Sequence, residues 1–246
     1  MVTKRSDVSV DRATLEKIPQ ARVRWKGAYR LVPARFPPIG IFERIADPED
    51  WDALYELESM TNPRLRQEAG QISLVPPARR VLGPGASIVM APFTHIGTER
   101  PTRFSAGRYG VYYAGHKFET ALREVAFHMG RFYAKTADQP HDETLRTYEG
   151  AIDSKLHDLR KGKWPQFLDP DPANYGAPQE LGRRLRVDGS NGVVYPSVRH
   201  VGGECIGAFW PDVVSIPKRT KHVALKWDGK AVSAWFDYET EKWHRL

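Results

Sequence analysis

Cysteine is nearly absent from this chain: Cys205 is the single one in 246 residues. One thiol cannot form an internal disulfide, so nothing here demands an oxidising compartment. Long hydrophobic runs are also missing. No stretch approaches the ~18 consecutive apolar residues of a membrane-spanning helix. The opening MVTKRSDVSVDRATLEKIPQ lacks the apolar core of a signal peptide, so a cytoplasmic location and no membrane partner are expected. There is no G-x-G-x-x-G loop, which argues against a Rossmann fold. There is no G-x-S-x-G elbow, which argues against an α/β-hydrolase serine. Zinc-finger spacing and a clean helix-turn-helix signal are lacking, so specific binding of nucleic acid is not expected, and there are no internal repeats or low-complexity tracts.

Acid is scarcer than base: 30 Asp and Glu stand against 37 Lys and Arg, a formal charge of +7. That permits a polyanionic partner, whether nucleic acid, a phosphorylated ligand or an acidic protein, without choosing among them. Hydrophobic residues at 41% and charged residues at 27% suit a soluble globular protein. The length fits one large domain or two small ones with a sizeable core. Twenty glycines and 19 prolines call for many turns and short elements.

Residues 1 to about 20 are polar and aperiodic and read as a mobile or loosely docked arm. ARVRWKGAYRLVP alternates as a strand does. DPEDWDALYELESM reads as a helix with Asp47 as N-cap and Pro48 in its first turn. From about residue 86, SIVMAPF, GVYYAG, LRTYEGAI, NGVVYPS, ECIGAFWP, VVSIP, KHVALKW and AVSAWFDY read as short strands. KFETALREVAFHMGRFYA is the strongest helix, with Phe118, Leu122, Val125, Met129 and Phe132 on one face. APQELGRRLRVDG is a second helix, closed by glycine. The expectation is an α+β fold: a mainly antiparallel β core with flanking helices in 86–246, and an N-terminal arm and helical extension in 1–85.

Four residues attract attention. Glu124 falls at the margin of its helix's buried face, where it either pairs with His128 four residues on or points into a cleft. Alternation sends Tyr112 and Tyr113 to opposite sides of the sheet, so one can be core while the other lines a cleft. Arg103 precedes a glycine-containing loop and is either solvated or a fork for phosphate or carboxylate. Ser197 ends a strand beside a loop rich in glycine and histidine, as a turn residue or as a ligand to phosphate or ribose. His95 in APFTHIG and Asn191 in SNG are candidates for the same cleft. Trp164, Trp210, Trp227, Trp235 and Trp243 read as core or interface residues, and Cys205 as a buried strand residue.

The order and spacing of Arg103, Tyr113, Glu124 and Ser197, within GVYYAG…ETALREVAFH and SNGVVYPSVRH, resemble the RES-domain family over roughly residues 86–215. Phe104 stands where many members have tryptophan. The resemblance implies an ADP-ribosyltransferase-like core and a bacterial toxin that consumes NAD+ as substrate, not as cofactor, partnered by an Xre-like antitoxin. It implies two outcomes: NAD+ destruction by phosphate or water, or ADP-ribose transfer to a protein. Carried over, Arg103, Tyr113, Glu124 and Ser197 are the catalytic set, and Arg30, His95, Asn191 and Arg199 are expected around the NAD+. Glu124 would stabilise an oxocarbenium-like ribose, Arg103 with Arg30 or Arg199 would hold the pyrophosphate, and Tyr113 would wall the nicotinamide. A reading of another class is a non-catalytic basic module for nucleic acid or an acidic protein, with these residues scattered.

Overall fold

The computed structural model describes residues 10–35, 70–99 and 101–246. In chain order the elements are α1 (Arg12–Lys17), β1 (Gln20–Pro33), α2 (Ser87–Thr94), β2 (Tyr112–Gly115), α3 (Phe118–Thr136), β3 (His141–Asp158), α4 (Gly176–Val187), β4 (Gly192–Pro196), β5 (Glu204–Ala208), β6 (Lys218–Trp227), β7 (Val232–Asp237) and β8 (Lys242–Arg245). The helix expected over 47–60 lies outside the described residues.

The architecture is α+β with a mostly antiparallel sheet. Its order is β1-β2-β5-β4-β3-β6-β7-β8, and β1 also pairs with β3, so the first five strands close on themselves. β1 runs antiparallel along β3 from Gln20↔His157 to Pro33↔Leu145, with a bulge between Trp25 and Ala28. The strand expected at 21–33 is therefore a full member of the central sheet. β3 and β4 make the one parallel pairing among the described strands, through His157↔Val193 and Asp158↔Val194.

Alternation divides β2, β4 and β5 between two layers. Tyr112, Ala114, Val194, Ile206 and Ala208 face a core that α2 closes with Val89, Met90 and Phe93. Val193, Tyr195 and Cys205 face the other way, against Phe104, Phe167 and Leu181 and Leu185 of α4, with Tyr113 partly buried beside them. A third cluster lies under α3, where Ala121, Leu122 and Ala126 meet Leu31, Leu145, Val223 and Leu225. Each fully buried side chain of this size contributes about 1.5–3 kcal/mol relative to exposure.

Several expectations need correction. SIVMAPF is the body of α2, not a strand. Its buried residues Ser87, Val89, Met90, Phe93 and Thr94 recur with a helical period, but so short an apolar run cannot declare its period in sequence. VVSIP is not a strand: Val213 ends a 3-10 turn and Val214 makes an isolated bridge to Ile152. β8 was not expected. The arm is docked from Val10 onward, with Val10 and Ile18 buried. On α3, Phe132 is 54% exposed while Tyr133 is buried, because the Tyr133 hydroxyl reaches Glu143 at 3.0 Å. Trp243 is also half exposed, whereas Trp227 is fully buried. No helix among the described residues is long and apolar enough to cross a membrane.

Candidate active site

The site begins with the turn from β2 into α3. A Cβ on Gly115 would lie 2.6 Å from the amide nitrogen of Ala121. Glycine therefore lets the first turn of α3 press against the end of the strand. That fixes where Glu124 emerges, half-buried at the edge of the helix's covered face.

Glu124 does not pair with His128. The Ser197 hydroxyl, 73 residues away, donates to its Oε1 at 2.6 Å. Ser197 Oγ in turn accepts the backbone N–H groups of Arg199 at 3.1 Å and His200 at 3.0 Å. Two amides pointing at one hydroxyl oxygen leave its proton for the carboxylate, so one oxygen of Glu124 is held in a fixed direction. Cys205 lies behind, its Sγ 3.9 Å from the same oxygen. Burial, and then the charge of Glu124, push the Cys205 thiol far up, so it is a neutral wall and not a nucleophile. His200 does not form a hydrolase dyad either. Its Nδ1 meets Thr120 Oγ1 at 2.8 Å.

Tyr113 faces this side of the sheet, as alternation allows. Its hydroxyl donates to Thr102 Oγ1 and accepts the N–H of Phe104, both at 2.9 Å. Burial pushes its pKa up to about 12, so the phenol stays protonated and pins the residues on either side of Arg103. The Arg103 side chain turns inward and is 6% exposed. Its Nη1 donates to the carbonyls of Phe167 at 3.1 Å and Asp169 at 2.9 Å, and its Nη2 to the Tyr175 hydroxyl at 3.2 Å. The guanidinium also lies over the Tyr175 ring, 4.6 Å from its centroid.

Two more candidate arginines also lack an acidic partner among the described residues. Arg30 on β1 donates to the Tyr113 carbonyl at 3.2 Å and lies 4.9 Å from the centroid of the Tyr112 ring. Burial lowers its pKa, but a guanidinium keeps its charge at any ordinary pH. Arg199 lies 3.4 Å from the centroid of Phe127 on α3 and donates from Nη2 to the Pro170 carbonyl. Its Nε is buried without a hydrogen-bond partner. Arg30, Arg103 and Arg199 thus meet only carbonyls, a phenol and aromatic faces among the described residues. His128 feels the excess charge. Burial, then Arg199, Arg103 and Arg131, push it down to about 4. Because the residue keeps solvent contact, the three cations are the firmer of those causes.

Asn191 lies elsewhere. It sits at the N-terminal end of β4, about 20 Å from Ser197 along an extended strand. It is held there by Arg79 at 2.8 Å and Ser154 at 3.0 Å. It lines a groove of about 1040 Å3 between α1 and the end of α4, with Lys155, His157 and Arg184. That groove has the volume of a ligand site but none of the Glu124–Ser197 chemistry, so volume does not locate the candidate centre. His95 follows α2, with its Nδ1 3.0 Å from the Thr94 hydroxyl.

The family model described as RES domain matches residues 77–228. The chain belongs to the RES-domain family. A relative of the RES-domain chain, the uncharacterized protein y4oC of Sinorhizobium fredii (strain NBRC 101917 / NGR234), is 27% identical over 213 residues, covering 86% of this chain and 87% of that protein. Among solved structures, a chain of the M. tuberculosis MbcT–MbcA toxin–antitoxin complex aligns with a TM-score of 0.43 and 11% identity, covering 83% of this chain and 86% of that one. That likeness is too distant to carry weight. Arg103, Tyr113, Glu124 and Ser197 all fall inside the RES match, and Arg30 precedes it. Sequence reasoning missed Thr120, Phe127 and Tyr175. Phe127 carried a faint signal, an aromatic one turn beyond Glu124. Tyr175 carried none, because it arrives from a long loop.

Proposed function

We propose that this RES-domain protein is the toxin of a toxin–antitoxin pair and that it breaks the nicotinamide–ribose bond of NAD+. The observation that carries the reading is the Glu124–Ser197 hydrogen bond set beside Arg103 and Arg199, which bind the adjacent carbonyls of Asp169 and Pro170 and have no acidic partner among the described residues. Cations answered only by neutral groups favour an anion, and a pyrophosphate supplies one. A carboxylate held in one direction suits a ribose whose C1 becomes positive.

The steps follow from charge. The glycosidic C–N bond breaks, and its electron pair stays with nicotinamide, which leaves neutral because it was already cationic. The oxocarbenium-like ribose is stabilised by Glu124, which Ser197 orients. Arg199, with its Nε still unused, and Arg30 hold the pyrophosphate. Arg103 has committed three of its donor hydrogens to the Phe167, Asp169 and Tyr175 partners and acts through its charge and by fixing that loop. Tyr113 offers its ring, since its hydroxyl is occupied. The acceptor is phosphate, water or a protein side chain. An enzyme that drains NAD+ endangers its own cell, so an Xre-like antitoxin is the expected partner. The competing reading, a basic module for nucleic acid or an acidic protein, sits poorly with the Ser197–Glu124 bond across 73 residues and with Arg199 on the same loop as Ser197.

The test is nicotinamide release from NAD+ by the purified chain, with and without phosphate, with mass analysis of products. ADP-ribose 1″-phosphate formed only with phosphate identifies a phosphorylase, and free ADP-ribose a hydrolase. NAD+ that survives until lysate is added, followed by a mass gain on a lysate protein, identifies a transferase. NAD+ intact in every arm, with folded protein, overturns the proposal and favours the binding module.

A further inference from the structure

The loop from Ser197 to Gly203 joins β4 to β5 and carries both Ser197 and Arg199. It is tied by its own backbone: Ser197 N–H donates to the Gly203 carbonyl at 2.8 Å, and Gly203 N–H to the His200 carbonyl at 2.9 Å. A loop closed on itself still needs a bond to the helix that bears Glu124, or the two sides of the site drift independently. Besides the Ser197–Glu124 bond and the Arg199 guanidinium over Phe127, the described side-chain hydrogen bond across that gap is between Thr120 and His200 at 2.8 Å. Thr120 is fully buried in the first turn of α3. That turn is fixed in place by the close approach at Gly115, where a Cβ would come within 3.1 Å of Thr120 Cβ. A second observation points to the same contact. A Cβ on Gly203 would lie 2.7 Å from Thr120 Oγ1 and 2.9 Å from His200 Nδ1. The backbone there is bare where the two side chains meet.

We propose that Thr120 and His200 form a clasp that positions the Ser197 loop on α3, and that Thr120, His200 and Gly203 are positioning residues for the Glu124–Ser197 pair. The chain of contacts is short. Thr120 holds the His200 ring, the His200 backbone N–H holds Ser197 Oγ, and Ser197 Oγ–H holds Glu124. The clasp touches neither substrate nor reacting atoms. It sets the angle at which the carboxylate meets the ribose, so it acts on the rate of bond breaking more than on ground-state binding. The inference rests on the NAD+-cleaving reading for its kinetic readout and on geometry alone for its structural one.

The test compares Thr120→Val, which keeps the shape and loses the hydroxyl, with Thr120→Ser, which restores it. With NAD+ as substrate, Thr120→Val should lower kcat about tenfold to a hundredfold while KM stays within about twofold, and Thr120→Ser should recover most of the loss. His200→Ala and Gly203→Ala should reproduce the kcat loss, the latter by wedging the clasp apart, and they serve if Thr120→Val fails to fold. Wild-type kcat in the folded Thr120→Val and His200→Ala variants overturns the clasp. A loss that Thr120→Ser does not recover also overturns it, because bulk and not the hydroxyl would then matter. If the wild-type chain does not cleave NAD+, the functional reading fails, and the clasp is judged by amide hydrogen exchange. Faster exchange at Ser197 and Gly203 in Thr120→Val supports it, and unchanged exchange refutes it.

Discussion

The two ends of β4 carry arginines of different kinds. Near the N-terminal end, Arg79 meets Asp212 at 2.9 Å, and Arg183 and Arg184 share Glu180 at 2.7 and 2.9 Å. Arg186 is the exception there, stacked over Trp210 and Tyr109. Away from that end, Arg30, Arg103 and Arg199 face only neutral groups among the described residues. The same residue type performs two tasks. An arginine beside a carboxylate has its charge cancelled and serves as a strut, whereas one beside carbonyls and rings keeps its field for an incoming anion. Base is in excess over the whole chain, and the proposed NAD+ site draws on the part of that excess which no local acid cancels.

The sharpest way to break the comparison is to remove an acid from a paired arginine. Asp158 is fully buried and receives Arg160 through Nε, Nη2 and the backbone N–H, each at 2.9 Å. Burial alone would raise its carboxyl, but the hydrogen bonds from Arg160 outweigh burial and hold it below the usual range. Arg160 keeps Glu204 at 2.9 Å, so Asp158→Asn should lower the unfolding free energy by about 1–3 kcal/mol in urea titrations. A depressed carboxylate stabilises the fold above its unfolded pKa, and that contribution is lost as pH falls through the folded one. The variant should therefore also lose part of the wild type's acid sensitivity between about pH 4 and its lower folded pKa.

The next largest effect belongs to the acid at the unpaired end. Glu124→Gln should reduce nicotinamide release about a hundredfold or more, with a thermal melting midpoint close to wild type, because no arginine among the described residues pairs with Glu124. A large fall in melting temperature would make Glu124 a strut like Asp158.

The arginines themselves should separate by assay. Arg199→Ala should raise KM for NAD+ about tenfold, as expected for losing a charged hydrogen bond to phosphate. Arg184→Ala should leave KM unchanged and shift stability by less than about 1 kcal/mol, since the pair is a partly exposed helical one and Glu180 keeps Arg183. Equal effects would dissolve the distinction.

The smallest effect is at His128, which the surrounding cations disfavour as a charged group. Its unfolded value is near 6.5 and its folded value about 4. The unfolded chain thus binds the proton first, and stability falls as pH drops through that window. His128→Asn should flatten this slope by less than about 1 kcal/mol, because the ring keeps solvent contact. Circular-dichroism melts from pH 7 to pH 4 would show it.

Some of this protein was determined along the chain. The α3 periodicity, the opposite facing of Tyr112 and Tyr113, the glycine-closed α4 and the α+β class follow from spacings of two and about 3.6 residues, which are local properties of a backbone. The RES resemblance rested on four residues in order. What tertiary structure decided was everything that depends on a distant partner. SIVMAPF became a helix because the core it meets accepts a helical stripe. Tyr133 displaced Phe132 from the buried face because Glu143 was there to receive its hydroxyl. Arg103 turned inward because the 167–175 loop presents two carbonyls and a phenol. Ser197 reached Glu124 because the β4–β5 loop folds onto α3. Periodicity records which way a side chain points. Only the folded chain supplies the group it meets, and that group determines whether an arginine is a strut or an anion site.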